Sequence, residues 1–309
     1  MTVRKLNMAK KRSRLPDWFR TRLPTGELLE KFTETKNTVT ENTLHTVCQE
    51  ARCPNIHECW AAKDATFMVA GQECTRGCKF CAVGTIKRPP PLDENEPANL
   101  AEAISTMGLN HAVITVVNRD DLEDSGAMHY RRCLEAVRKT SPEVTLELLC
   151  SDLAGDHEDL AMLLENLELE VFAHNVECVP RLDLKVRDRR ATFEQSIGIL
   201  AEAKRLRPDI LTKSSLMVGL GETDEEVTEA LQMLRDANVD LVTIGQYLAP
   251  SPKHLAVDRF PEPSQYDEWS IQIEEMGFLG WACGPLVRSS YKAGELLAKA
   301  TTSLRTNME

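Results

Sequence analysis

Thr66-Phe-Met-Val-Ala-Gly-Gln-Glu-Cys-Thr-Arg-Gly-Cys-Lys-Phe-Cys81 joins a short apolar run to a loop carrying Cys74, Cys78 and Cys81 as Cys-x3-Cys-x2-Cys. The run, Thr66 to Ala70, predicts a buried strand, and the glycine after it predicts a turn. Three is the informative number of thiols. A closed structural zinc site takes four protein ligands, whereas an iron-sulfur cubane held by three thiolates keeps one iron open to a reacting molecule. The competing readings are a zinc knuckle, which is one ligand short, and a disulfide framework. An N-terminus without a secretory apolar segment leads instead to the expectation of a reducing compartment, the cytoplasm.

Working downstream, short β-branched runs alternate with helical stretches, the pattern of a parallel sheet with crossover helices. Strands are predicted over Thr66–Ala70, His111–Val117, Val144–Leu149, Glu170–Phe172, Ile210–Val218 and Asp240–Ile244. Four stripes at i, i+3, i+4, i+7 lie between them: Leu100, Ala103, Ile104, Met107; Tyr130, Cys133, Leu134, Val137; Leu160, Leu163, Leu164, Leu167; and Val227, Ala230, Leu231, Leu234. Six βα units make an α/β fold, an open (β/α)6 partial TIM barrel. Barrel chemistry sits at the carboxyl ends of the strands, which is where the cysteine loop falls. Polar strand-end loops follow at Asn118–Asp124, His174–Glu177 and Gly219–Thr223.

Working upstream, Cys48, Cys53 and Cys59 form a second triplet, Cys-x4-Cys-x5-Cys, so six of the ten cysteines fall between Cys48 and Cys81. Cys133 and Cys150 look like ordinary core cysteines by contrast. The second triplet lacks a fourth thiolate nearby and needs a distant ligand or a small molecule. His57 lies inside it but reads as a hydrogen-bonded histidine. At the other end of the chain stands Gly284-Pro-Leu-Val-Arg-Ser-Ser-Tyr291. Alone, Ser289 and Ser290 would cap the helix that follows, Tyr291 to about Leu304.

Cys-x3-Cys-x2-Cys with an aromatic residue before its last cysteine resembles the signature of the radical S-adenosylmethionine (SAM) enzymes. Joined to Cys48, Cys53, Cys59 and the Arg-Ser-Ser-Tyr motif, it resembles the lipoyl synthase family, from about Trp18 to Tyr291. That resemblance implies two 4Fe-4S clusters: one on Cys74, Cys78 and Cys81 that cleaves SAM, and an auxiliary one on Cys48, Cys53, Cys59 and Ser290. The family's reaction inserts two sulfur atoms at carbons 6 and 8 of an octanoyl-lysyl carrier domain, with the auxiliary cluster as sacrificial sulfur donor and two SAM used per lipoyl group. An oxygen ligand suits a cluster that comes apart, because a hard donor matches a sulfide-rich cluster poorly. The resemblance also implies a SAM pocket lined by Asn175, Glu177, Gly219, Gly221 and Glu222, against the plain reading of the Gly219 loop as a turn before a helix capped by Thr223 and Glu226. Cys283, where the family commonly has serine, reads as a buried small residue or an extra thiolate. Arg288 reads as a salt-bridge partner or a neighbour of the cluster ligand.

The expected organisation is an N-terminal extension (1–60) carrying the auxiliary cysteines, the barrel (61–284), and a C-terminal extension (285–309), both extensions covering the barrel mouth. The N-terminal segment, with a helix from near Thr25, must fold back for Cys48, Cys53 and Cys59 to meet Ser290. The Pro-rich stretch Arg88–Leu92 is expected to run extended. With 309 residues, 42% hydrophobic, one large core can form, and no apolar run is long enough to span a membrane. A net charge of −11 argues against nucleic-acid binding. Arg4, Lys5, Lys10, Lys11, Arg12 and Arg14 form a basic N-terminal group, read as a loose arm, a docking arm for an acidic partner or a targeting segment. The partners expected are an octanoylated carrier domain and an electron donor such as ferredoxin or flavodoxin, acting on a monomer. An electron carrier, a zinc-stabilised interaction module, a biotin synthase and a methylthiotransferase are the rival assignments. The Arg-Ser-Ser-Tyr ending argues against the last two.

Overall fold

The computed structural model describes residues 15–19, 24–41, 46–50 and 53–306; the basic group from Arg4 to Arg14 lies outside them. Seven parallel strands, β1 (Asp64–Val69), β2 (His111–Val116), β3 (Thr145–Leu149), β4 (Val171–Ala173), β5 (Leu211–Val218), β6 (Leu241–Gln246) and β7 (Gly280–Gly284), pair in chain order. The sheet curls without closing, since β1 and β7 are its edges. Side chains from β1, β3 and β5 converge inside it: Lys213 donates to both oxygens of Glu147 at 2.8 Å, and Asp64 feels both charges. The architecture is the expected partial barrel with one strand more than predicted. Gly280-Trp-Ala-Cys-Gly284 contains no β-branched residue and two glycines, so the strand pattern is absent there.

Helices cover the outside. All four predicted stripes are buried, and Tyr130, Cys133, Leu134 and Val137 on α3 (Ala127–Thr140) are fully so. Each buried leucine or valine of this kind stabilises the fold by roughly 1.5–3 kcal/mol. The others lie on α2 (Glu96–Met107), α4 (His157–Leu164) and α6 (Asp224–Asp236). Leu167 stays buried although α4 ends at Leu164, because Asn166 turns the chain with φ +52°. Two helices between barrel strands have no counterpart in the predicted stripes, α5 (Phe193–Leu206) and α7 (Pro263–Glu275). On α5 the buried face contains Ser196, a polar break that serves the site described below.

α1 (Glu27–Glu41) packs on the short helix Ile56–Ala61 through Phe32, which stacks on buried Trp60 at 5.9 Å, and through the Thr35 hydroxyl, which donates to the Trp60 carbonyl at 3.0 Å. The chain after β7 lines the barrel cavity as far as Ser289. α8 (Ala293–Thr306) then closes the opposite end, with Leu296, Leu297 and Ala300 against the strand starts Val171, Leu211 and Leu241. Arg119 ties the Pro-rich stretch down, donating to the Pro90 carbonyl at 3.1 Å. Among the described residues no helix is long and apolar enough to cross a membrane.

Candidate active site

β1 ends at Val69, and Ala70 and Gly71 take positive φ, turning the chain into the cysteine loop. A two-residue parallel pairing, Glu73–Cys74 with Gly84–Thr85, closes that loop. Buried Arg76 holds its underside, pairing with Asp120 at 2.7 Å and Asp152 at 2.5 Å. Asp188 accepts from the Gly77 amide at 2.9 Å, and its own amide points at Cys78 Sγ from 3.3 Å. The side chains of Arg190 beside it keep the Asp188 carboxyl well below the usual carboxylate range. Cys74, Cys78 and Cys81 therefore line one wall of a cavity of about 280 Å³, facing Met68, Asp152, His174, Asn175 and Glu177.

Asn175 donates to Glu177 at 3.1 Å. Burial raises the Glu177 carboxyl, while Arg187 and Asn175 oppose the shift, and its charge bears on both Cys78 and Cys81. His174 is no free ligand. Its Nδ1 bonds the Cys150 carbonyl at 2.9 Å and its Nε2 the Ser196 hydroxyl at 2.8 Å, which also accepts from Arg187. A neutral ring satisfies this chain, with Nδ1 donating and Nε2 accepting.

Burial pushes His174 from 6.5 down to about 4. Between those values the unfolded chain binds a proton that the folded chain refuses, so stability is lost as pH falls through this window. Buried Asp64, pushed up to about 6, acts with the opposite sign over the lower part of it. The expected result is that the urea midpoint of His174→Asn falls less between pH 6.5 and 4 than that of the parent chain. Equal slopes would show that His174 is not held neutral.

The second triplet sits where the N- and C-terminal segments meet. The Cys48 thiol bonds to Thr66, and the Thr66 hydroxyl reaches the Ser290 hydroxyl at 3.1 Å. Asn55 donates to the Leu286 carbonyl at 2.6 Å, and Tyr291 to Glu58 at 2.6 Å. Cys59 takes a backbone bond from Lys292 and is pushed by burial up to about 12. Arg288 lies beside Cys53 and donates to the Val287 carbonyl at 2.6 Å; among the described residues no carboxylate lies within 4.0 Å of it. His57 packs edge-on to Phe32 at 4.3 Å. Cys283 faces Ser270 on α7, and burial pushes its thiol up to about 11.

The donor sets fit iron-sulfur clusters. Thiols interact electrostatically within each triplet, Cys48 and Cys59 with Cys53, and Cys81 with Cys74 and Cys78. A single tetrahedral zinc, with Zn–S near 2.3 Å, would bring its sulfurs within about 4 Å of one another. Among the described residues only Glu96, His129 and Cys133 bring three ligand atoms within 4.8 Å, so both triplets hold their sulfurs wider than a single ion needs. Burial raises the thiols of Cys48, Cys53, Cys59, Cys78 and Cys81, so loading a metal group must release protons.

Gly219, Gly221 and Glu222 do not line the cysteine cavity. Glu222 folds its own loop, accepting from the Gly219 and Leu220 amides at 2.7 and 2.9 Å, and a Cβ on Gly219 would meet the Gln246 amide at 2.1 Å. Thr223 and Glu226 form the anticipated capping box. Sequence reasoning missed Arg76, Asp152, Arg187 and Asp188. Arg76 was visible inside the cysteine motif, and Asp152 in a strand-end loop not singled out.

Residues 68–234 match the Radical SAM superfamily, and residues 2–53 match the N-terminal domain of lipoyl synthase of the Radical SAM family. The mitochondrial lipoyl synthase of Arthroderma otae is 49% identical over 288 residues, covering 92% of this chain and 69% of that protein. The chain belongs to the lipoyl synthase family. The Bos taurus mitochondrial lipoyl synthase is 46% identical over 299 residues, covering 95% of this chain and 79% of that protein. Lipoyl synthases are radical SAM sulfurtransferases. Among solved structures, Streptococcus suis SuiB bound to S-adenosylmethionine superposes with a TM-score of 0.55 at 7% identity over 83% of this chain and 61% of that one. Methylornithine synthase gives 0.53 at 12% identity over 81% and 76%. These two share the lipoyl synthase fold alone.

Proposed function

We propose that Cys74, Cys78 and Cys81 hold the SAM-cleaving cluster, and that Cys48, Cys53, Cys59 and Ser290 hold the sulfur-donating one, in an enzyme that converts an octanoyl-lysyl carrier domain into its lipoyl form. When bound, the first cluster supplies one electron to each SAM and the second supplies sulfide. The observation that carries the assignment is the 3.1 Å contact from Thr66 to Ser290, with Cys48 on the same threonine. It supports Ser290 as the fourth ligand of the triplet that lacks one.

The chain's own groups position and exclude. Met68, Phe80, Val116 and Leu149 give the cavity an apolar lining suited to an octanoyl chain, and keep water from a carbon radical. Asn175 and Glu177 orient SAM beside the cysteine loop; Gly219, Gly221 and Glu222 shape the loop that flanks it. Arg76 with its two aspartates keeps the loop in place, so the thiols are held before anything binds. We divide the chain into an extension (1–60), the barrel (61–284) and a C-terminal extension (285–309). It works as a monomer in the cytoplasm, with a ferredoxin or flavodoxin as reductant; the two relatives named above are mitochondrial by name.

Anaerobic incubation with an octanoyl-lysyl peptide, SAM and dithionite is expected to add the mass of two sulfur atoms and release two 5′-deoxyadenosines per product. SAM cleavage with an unchanged octanoyl mass would overturn the assignment.

A further inference from the structure

The outer face of the cysteine loop is exposed and basic on a chain of net charge −11. Three segments meet there. The Lys79 amide donates to the Val186 carbonyl at 2.9 Å and its Nζ to Leu184 at 3.2 Å, joining the loop to residues 184–190. The Ile86 amide donates to the Cys74 carbonyl at 3.0 Å, joining residues 84–88. Lys79, Lys87, Arg88 and Arg189 are exposed, and among the described residues none has a carboxylate within 4.0 Å, whereas Lys185 turns away to the Leu220 carbonyl at 2.7 Å. Of the acids nearby, Asp120, Asp121 and Asp188 are engaged by Arg76, Arg119 and Arg190, and Glu73 lies beside Gly84. Within this basic rim Leu184 is 76% exposed and Ile86 44%, two apolar side chains turned to solvent.

We infer that this face docks the electron donor, a small acidic one-electron protein, with Leu184 and Ile86 as its apolar centre. The inference rests on the radical SAM reading of Cys74, Cys78 and Cys81. Each cleavage takes one electron from the donor. Methionine's sulfur receives it together with one electron of the broken C5′–S bond as a lone pair, and the carbon keeps the other. The face is suited to delivery, because it touches two cysteines directly: the Ile86 amide donates to the Cys74 carbonyl, and the Asp188 amide points at Cys78 Sγ. The three cysteines also line the cavity. A carrier domain seated here would have the cysteine loop between its octanoyl chain and the cavity. The charge is of the sign that steers an acidic protein, and a small apolar centre with a charged rim suits a transient redox encounter.

The test compares Lys87→Glu/Arg88→Glu/Arg189→Glu with the parent full-length enzyme, measuring 5′-deoxyadenosine formation driven by a reduced flavodoxin or by dithionite. The expected result at low salt is a flavodoxin-driven rate reduced roughly tenfold or more, with its salt dependence lost and the dithionite-driven rate unchanged. Leu184→Glu alone is expected to act in the same direction. Equal flavodoxin-driven rates in parent and variants would overturn the inference. So would a raised KM for the octanoylated carrier under dithionite, which would assign the face to the substrate. If the parent cleaves SAM but never thiolates the octanoyl chain, the functional reading fails, while the ratio of flavodoxin to dithionite rates still decides the docking face.

Discussion

Cys53→Ala is expected to form 5′-deoxyadenosine and no thiolated product. Cys53 touches the thiols on either side of its triplet electrostatically, and it faces Arg288, but it shares no interaction with Cys74, Cys78 or Cys81. Removing it leaves two thiols and Ser290, too few to hold the cubane we propose there, one of whose ligands is a weak oxygen donor. The loop carrying the other triplet is anchored separately, by Arg76, Asp120, Asp152 and Asp188. Iron and acid-labile sulfide should fall from about eight to about four of each per chain, while SAM cleavage persists. Normal sulfur insertion by Cys53→Ala, or loss of SAM cleavage with an intact first cluster, would remove the division of labour between the two triplets.

The second large effect is on stability. Lys213→Met should lower the free energy of unfolding by about 3–5 kcal/mol, the cost of stranding a buried partner of opposite charge. Lys213 and Glu147 are both essentially inaccessible, bonded at 2.8 Å across β4, with Asp64 and His111 in the same interior layer. Without the ammonium, two carboxyls share an apolar barrel interior. His111 offers little compensating charge, because burial, the larger cause of its lowered pKa, persists when Lys213 is removed. The double replacement Lys213→Met/Glu147→Met should recover most of the loss, because burying two apolar chains of similar volume avoids desolvating an ion pair. Urea midpoints at unchanged m-value measure both. A single variant as stable as the parent would show that the pair is hydrated or only loosely formed.

Much of the barrel was legible because its signals are local. Tyr130, Cys133, Leu134 and Val137 repeat at helical spacing, and the β-branched runs between such stripes mark strands, so each unit announces itself within a dozen residues. β7 escaped because Gly280-Trp-Ala-Cys-Gly284 forms a strand only by pairing with β6, with Leu296 packed over Gly280. α5 escaped because Ser196 occupies its buried face for the sake of His174 and Arg187, a polar demand invisible without the third dimension. Gly219 illustrates the converse. Its glycine has a tertiary cause, the Gln246 amide and the Arg259 carbonyl, which no turn pattern reveals.

The sequence by itself determined which atoms are available as ligands, since Cys-x3-Cys-x2-Cys and Cys-x4-Cys-x5-Cys place each set of thiols on one short segment whose reach is set by covalent geometry. Only the tertiary structure decided that Ser290 stands beside Thr66 and Cys48, 224 residues away in the case of Thr66, and that Lys213 finds Glu147. Contacts of that kind depend on an open sheet whose two edges come near enough for the returning chain to pass between them. That nearness is set by strand number, curl and core volume together, and no local run of residues encodes it.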